Sequence, residues 1–282
     1  MNQRLQCGRF DLALGPADRP LVMGILNVTP DSFSDGGRFQ GLELALSHVE
    51  QMLADGVDII DVGGESSRPG APTVSVEEEL ARVMPVLYAL RDCGKPLSID
   101  TCKPAVMREA LAAGADMVND INGLRATGAL AAVNDSDCGL CIMHMQNNPL
   151  TMQHLPHYDD VVADVLAFLQ ERLAAVMAAG IERRRVCIDP GFGFGKSLGH
   201  NVALMQQLQT LRNGVGVPVL AGLSRKSMIG ELTGRPAGER MAGSVAGALA
   251  AVAHGARIVR VHDVAATVDA LAVWQALQPS TF

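Results

Sequence analysis

Aromatic residues are scarce in this chain: one Trp, two Tyr and seven Phe make up 4% of it. Positive charge is also scarce, with 23 Lys and Arg against 30 Asp and Glu for a net charge of −7. A nucleic-acid groove needs clustered cations and stacking rings, so the two shortages together exclude one. Long apolar runs are missing as well. The longest, the Ala/Gly/Val-rich stretch at 241–256, falls short of the roughly 20 strongly apolar residues of a membrane span. The opening M-N-Q-R-L-Q-C-G-R-F-D has no apolar signal core, so no membrane partner and a cytoplasmic location are expected. Six cysteines in 282 residues do not make a disulfide framework. Cys138-x-x-Cys141 has no second Cys or His pair at zinc spacing, and Cys141 sits inside the apolar run Leu140-Cys141-Ile142-Met143. Buried structural thiols are expected there.

What the chain does have is apolar material, at 48% hydrophobic against 19% charged residues. A chain of this mass can bury about 73% of its unfolded surface, ample for one large core. Three segments resemble one another: A-D-G-V-D-I-I-D-V at 54–62, A-G-A-D-M-V-N-D at 113–120 and H-G-A-R-I-V-R-V-H at 254–262. In each, a glycine suited to ending a helix precedes a short β-branched run. Glycines of this kind are expected at Gly56, Gly94, Gly114, Gly139, Gly180, Gly216 and Gly255. Their mean spacing is about 33 residues, the length of one strand–helix unit.

With the run at 21–27, eight strands are expected, the others at 57–62, 96–100, 116–119, 140–144, 186–189, 217–222 and 257–261. They read as near-continuous apolar runs, as strands buried on both faces do. Helical periodicity lies between them, clearest in Val161, Val165, Leu169, Leu173 and Val176. Eight alternating units predict an α/β fold, a (β/α)8 TIM barrel of parallel strands, rather than an open doubly wound sheet. No linker divides the chain, so residues 1–282 are expected to form one domain with its core at about 20–275.

A barrel keeps its chemistry at the C-terminal ends of its strands. Those ends carry Asn27, Asp61, Asp100, Asn119 with Asp120, His144, Asp189, Ser224-Arg225-Lys226, and Arg260 with His262. So many polar strand ends exceed what helix capping requires and indicate a polar substrate mouth. The loop Asp189-Pro190-Gly191-Phe192-Gly193-Phe194-Gly195-Lys196-Ser197 imitates two phosphate-binding motifs without matching either. Pro190 stands where the Walker loop needs its first Gly, and Lys196 where the dinucleotide fingerprint needs its third. Two long flexible loops, 27–37 and 63–70, read as lids over a ligand. Ser224-Arg225-Lys226-Ser227 opens a helix after the seventh strand, and its amides, hydroxyl and two cations suit an anion.

In order along the chain, N-V-T-P-D-S-F-S-D-G-G, D-V-G-G-E-S-S-R-P-G, D-P-G-F-G-F-G-K, G-L-S-R-K-S and R-V-H-D together resemble the dihydropteroate synthases of bacterial folate synthesis. The resemblance implies a pterin-binding TIM barrel, usually a homodimer, that uses Mg2+. It joins p-aminobenzoate to 6-hydroxymethyl-7,8-dihydropterin diphosphate, yielding 7,8-dihydropteroate and diphosphate. By the same resemblance Asp100, Asn119 and Asp189 take the pterin's pyrimidine edge, Lys226 its carbonyl side, and Arg260 stacks on the ring. Asn27, Arg260 and His262 hold the diphosphate, Asn27 also ligates the metal, and Ser67 and Arg68 close over the site. Ser227 receives the p-aminobenzoate carboxylate, in a slot walled by Phe33, Ser67, Pro69 and Phe194. Ser67 departs from the Thr of many members but keeps the hydroxyl. The alternatives are the pterin-binding domain of a corrinoid-dependent methyltransferase and a non-catalytic pterin-binding relative; Asn27, Arg68, Lys226, Arg260 and His262 argue against the latter.

Overall fold

The computed structural model describes residues 3–29, 37–66, 70–147, 149, 151–153 and 155–278. A two-stranded antiparallel hairpin comes first, β1 (Arg4–Cys7) and β2 (Phe10–Ala13). Eight parallel strands follow: β3 (Leu21–Asn27), β4 (Ile59–Gly63), β5 (Leu97–Asp100), β6 (Met117–Asp120), β7 (Gly139–Met143), β8 (Val186–Asp189), β9 (Leu220–Ala221) and β10 (Ile258–Val261). They are ordered β8-β7-β6-β5-β4-β3-β10-β9, and a bridge between Ile188 and Val219 brings the two ends of that row together. The sheet therefore curls into the expected barrel. The expected strand at 217–222 shrinks to Leu220–Ala221, in part because Pro218 has no N–H to give a ladder. It contributes by accepting instead, from the Ile188 amide at 2.9 Å.

Helices α1 (Gly37–Ala54), α2 (Val76–Leu90), α3 (Pro104–Ala112), α4 (Ala129–Asn134), α5 (Val161–Ala178), α6 (Leu198–Gln206), α7 (Leu208–Val215), α8 (Ser227–Thr233), α9 (Met241–Ala253) and α10 (Val264–Ala276) fill the crossovers. Local chemistry starts several of them. The Ser75 hydroxyl accepts from the Glu78 amide at the start of α2, and the Asp160 carboxylate accepts from the Val162 and Ala163 amides at the start of α5. The stripe expected on α5 is buried at all five positions.

Six of the seven helix-ending glycines adopt the left-handed conformation, and Gly139 does not. It is the first residue of β7, where a Cβ would stand 2.6 Å from the Cys7 sulfur and 3.0 Å from the Gln6 carbonyl oxygen. Its glycine serves close packing against the hairpin, not a helix end.

The hairpin explains how the barrel is filled. Leu5, Cys7 and Leu14 are fully buried against Met23, Ile59, Met117, Cys141, Cys187, Leu220 and Ile258, one inward residue from each of seven strands. Residues alternate faces along a strand. The neighbours Val22, Ile60, Val118, Leu140, Ile142, Val186, Ile188, Ala221 and Val259 accordingly pack outward in the main core cluster with the helices. Two residues beyond each floor position, the inward face reaches Ile25, Asp61, Asn119, Met143, Asp189, Gly222 and Arg260. The step from an apolar floor to a polar mouth takes one pleat. Cys138 and Cys141 are buried free thiols, as expected.

Candidate active site

Arg260 organises the mouth. Its Nε donates to Asp61 Oδ2 at 2.6 Å and its Nη2 to Asp100 Oδ2 at 2.7 Å. Asn119 Nδ2 donates to the same Asp61 oxygen at 3.2 Å. Strand order makes this possible: β10, β3, β4, β5 and β6 are successive neighbours, with Arg260 level with Met23, Asp61 with Ser98 and Asp100 with Asn119, so the long Arg260 side chain spans the stagger. Burial works against the Arg260 charge, but Asp61 and Asp100 outweigh it and hold the guanidinium firmly protonated. Burial pushes the Asp100 carboxyl up to about 7; Arg260 opposes the shift, while Asp61, Glu79 and Asp120 add to it. Charges this buried persist only when paired, and removing one partner of such a pair typically costs ~3–5 kcal/mol.

Asp189 stands at the end of β8, with Oδ1 accepting from the Gly191 amide at 2.7 Å. Burial raises its pKa, against the pull of Lys226, the Gly191 amide, Lys196 and Arg260. Lys226 donates to the Phe192 carbonyl oxygen at 2.6 Å and sits 4.6 Å from the centre of the Phe194 ring. Burial lowers its ammonium to about 8, with Asp189 opposing the shift and Arg260 adding to it. Gly222 leaves space among these groups. A Cβ there would lie 3.7 Å from Arg260 Cβ, 3.7 Å from Lys226 Nζ and 3.8 Å from Asp189 Oδ2.

Asn27, Asp100, Asn119, Asp189, Lys226 and Arg260 thus gather at one end of the barrel, as the sequence implies. Asp61, present among the polar strand ends but given no role there, is the residue the sequence reading undervalues. Its place two residues after Ile59 on an inward face was the available signal. The pleat also separates Asn119 from Asp120. The Asp120 carboxylate accepts from the Asn122 and Leu124 amides and shapes the following turn. His262 is held by Ser224, whose Oγ lies 3.2 Å from the His262 amide nitrogen and 3.0 Å from Nδ1.

The anion cluster expected at 224–227 is divided. Arg225 pairs with Asp263 at 2.5 Å, Lys226 turns inward, and Ser227 is exposed as the first residue of α8. Phe194 is buried with Met143, Met145 and Met152. Phe33, Ser67, Arg68 and Pro69 lie outside the described residues, and the expected lids fall largely there as well.

Metal binding can be judged from the donors present. Among the described residues no group of three or more His, Cys, Asp or Glu could hold an ion. Near Gly63, where a Cβ would lie 3.6 Å from Asp100 Cβ and 3.7 Å from Asn27 Oδ1, the Asn27 oxygen is a hard donor, while Asp100 Oδ2 is already bonded to Arg260. Hard oxygen donors in small number fit Mg2+, which usually completes its shell with phosphate oxygens and water.

Residues 23–262 match the model of the pterin binding enzyme family. The dihydropteroate synthase of Neisseria meningitidis serogroup B is 54% identical over 278 residues, covering 96% of each chain. The Xanthomonas albilineans dihydropteroate synthase solved with 4-aminobenzoic acid superposes with a TM-score of 0.91 at 55% identity, covering 99% of this chain and 100% of that one. The Burkholderia cenocepacia dihydropteroate synthase solved with 7,8-dihydropteroate gives 0.89 at 54% identity, covering 98% and 96%. With the polar barrel mouth described above, these matches establish that the chain belongs to the dihydropteroate synthases of the pterin-binding enzyme family.

Proposed function

We infer that this enzyme joins p-aminobenzoate to 6-hydroxymethyl-7,8-dihydropterin diphosphate, releasing 7,8-dihydropteroate and diphosphate. The observation that carries the reading is the buried set of Asp61, Asp100, Asn119 and Asp189 around Arg260 and Lys226. The pyrimidine edge of a pterin is rich in N–H donors, and carboxylate and amide oxygens are its natural partners. Asp100, Asn119 and Asp189 receive that edge, and Lys226 serves the carbonyl side. The Arg260 guanidinium gives two of its five N–H donors to Asp61 and Asp100, which fixes its plane for stacking on the ring and leaves donors for the diphosphate.

Diphosphate leaves as the bond between the exocyclic methylene and its bridging oxygen breaks, the electron pair departing with oxygen. The dihydropterin ring spreads the resulting positive charge, and the carboxylates at its edge suit that charge. The amine lone pair of p-aminobenzoate then forms the new carbon–nitrogen bond, and the nitrogen passes one proton to water. Asn27, Arg260 and His262 orient the diphosphate, with Ser224 fixing the imidazole of His262. Asn27 would hold Mg2+, which would supply neutralisation of charge on the leaving group. Phe194 and Ser227, with Phe33, Ser67, Arg68 and Pro69, form the p-aminobenzoate slot and its cover.

No described helix is long and apolar enough to cross a membrane; a cytoplasmic location and a homodimer are the proposed setting and assembly. The relatives reported above are synthases and do not favour the methyltransferase alternative. Diphosphate release that requires both substrates together is the expected assay result. Diphosphate release in which p-aminobenzoate is never incorporated into dihydropteroate, or methyl transfer, overturns the reading.

A further inference from the structure

The loop between β8 and α6 contains a buried cation that the chemistry above leaves unused. Lys196 is only 3% exposed. Its Nζ lies 2.9 Å from the Gly191 carbonyl oxygen, 3.0 Å from that of Phe194 and 2.9 Å from His144 Nδ1. The His144 carbonyl is more distant, at 3.4 Å. An ammonium has three N–H donors, and the three shorter contacts account for all of them. With the Lys196 ammonium donating, Nδ1 offers its lone pair and His144 is a neutral imidazole protonated on Nε2; burial lowers that ammonium to about 7, so this arrangement belongs to the protonated lysine. Burial, with Lys196 and Arg125 nearby, holds this imidazole down to about 2, so it stays neutral at any working pH. Its ring is fixed in turn, edge-on to Phe168 with centroids 4.9 Å apart, and Tyr158 beside it donates to the Gly195 carbonyl at 2.8 Å.

The loop has other anchors along its length: the Phe194 amide donates to the Gly191 carbonyl at 3.1 Å, Gln153 donates to the Gly193 carbonyl and Tyr158 to that of Gly195. The Gly191 amide is tied to Asp189 Oδ1 at 2.7 Å and the Gly193 amide to Asn201 Oδ1 at 2.8 Å. At the Phe194 carbonyl, Lys196 is the donor. Phe194 is also the residue whose ring faces the Lys226 ammonium at 4.6 Å.

We propose that Lys196 is a positioning residue for the p-aminobenzoate slot: by gathering the Gly191 and Phe194 carbonyls onto His144, it sets the Phe194 ring at its distance from Lys226. This rests on the condensation inferred above and on Phe194 as a slot wall. A lysine that only stabilised the loop would lower the melting temperature and leave substrate preference alone. A positioning lysine acts on one substrate. On the pterin side Asp189 keeps its own bond to the Gly191 amide and feels Lys196 only as a nearby charge, so pterin binding should change less.

The experiment measures steady-state kinetics for both substrates in wild type, Lys196→Met, His144→Phe, Phe194→Leu and the Lys196→Met/Phe194→Leu double variant, well below each melting temperature. Loss of a charged hydrogen bond that orders the wall should raise KM for p-aminobenzoate about tenfold in Lys196→Met. KM for the pterin diphosphate and kcat should stay within about twofold. His144→Phe keeps the ring, removes the acceptor and should shift the same KM by less. Because Lys196 acts through Phe194, the double variant should have the p-aminobenzoate KM of Phe194→Leu alone. An unchanged p-aminobenzoate KM, equal rises in both KM values, or multiplying effects in the double variant overturn the proposal. Should Lys196→Met fail to fold, the same cycle with His144→Phe and Phe194→Leu decides it. A wild-type chain that makes no dihydropteroate overturns the synthase reading and the slot with it.

Discussion

Asp189 is the residue where removing one charge should tell most. Its Oδ1 is committed to the Gly191 amide, and Oδ2 borders the open space at Gly222. In Asp189→Asn one acceptor becomes a pair of donors facing the ring N–H groups. Pterin affinity should fall by about 1.5–3 kcal/mol, the range for a hydrogen bond to a charged group. Calorimetry that gives the wild-type affinity would remove Asp189 from the pocket. Lys226 carries the pH dependence. Its ammonium, lowered to about 8 chiefly by burial, loses its proton as pH rises through that value. The cation beside Asp189 then disappears, and kcat/KM for the pterin diphosphate, which reports groups of the free enzyme, should decline on the alkaline side of 8. Lys226→Arg keeps the charge to higher pH and should carry that limb upward, even at lower overall activity. An alkaline limb at the same pH in both proteins would assign it to another group.

Among the elements, the loop after β8 and the end of β9 use glycine for different reasons, and substitution separates them. Gly191 has φ +71, and a Cβ there would lie 1.9 Å from the His144 carbonyl oxygen. Backbone strain alone costs on the order of 1–3 kcal/mol, and the clash adds to it, so Gly191→Ala should fold poorly. At Gly222 the same Cβ meets its neighbours at ordinary contact distance, 3.7–3.8 Å. Gly222→Ala should therefore melt within a few degrees of wild type while filling space among Asp189, Lys226 and Arg260. A rise of about tenfold or more in KM for the pterin diphosphate is expected, equivalent to ~1.4 kcal/mol. Wild-type kinetics in Gly222→Ala would place the ring elsewhere in the mouth.

For the whole molecule, the arrangement of two substrates in one barrel mouth makes inhibition the telling measurement. A sulfonamide keeps the aniline of p-aminobenzoate and replaces its carboxylate with a similarly sized group bearing acceptor oxygens. Ser227, exposed at the start of α8, can serve either group through its hydroxyl and the adjacent amides. Competition with p-aminobenzoate is expected, together with slow formation of a pterin–sulfonamide adduct, because the aniline remains nucleophilic. Kinetics in which excess p-aminobenzoate fails to relieve inhibition would break this placement of the slot.

Much of this architecture is already present in residue order. The β-branched runs after helix-ending glycines specify the strands, and a period of two within them carries Asp61, Asn119, Asp189 and Arg260 one pleat above an apolar floor. Local chemistry is enough for that, since propensity, pleat and capping act over a few residues. The hairpin at 4–13 passed unrecognised because its strands are four residues each and owe their stability to the barrel floor they cover. Gly139 misled for a similar reason, its role being set by Cys7, which is distant in sequence. The pairing of Arg260 with Asp61 and Asp100, 199 and 160 residues away, and of Lys196 with His144, 52 away, follows from which strands become neighbours. No local pattern encodes such pairs. They form only when the closed sheet brings β10 beside β3 and β7 beside β8, and burial there makes each charge depend on its partner.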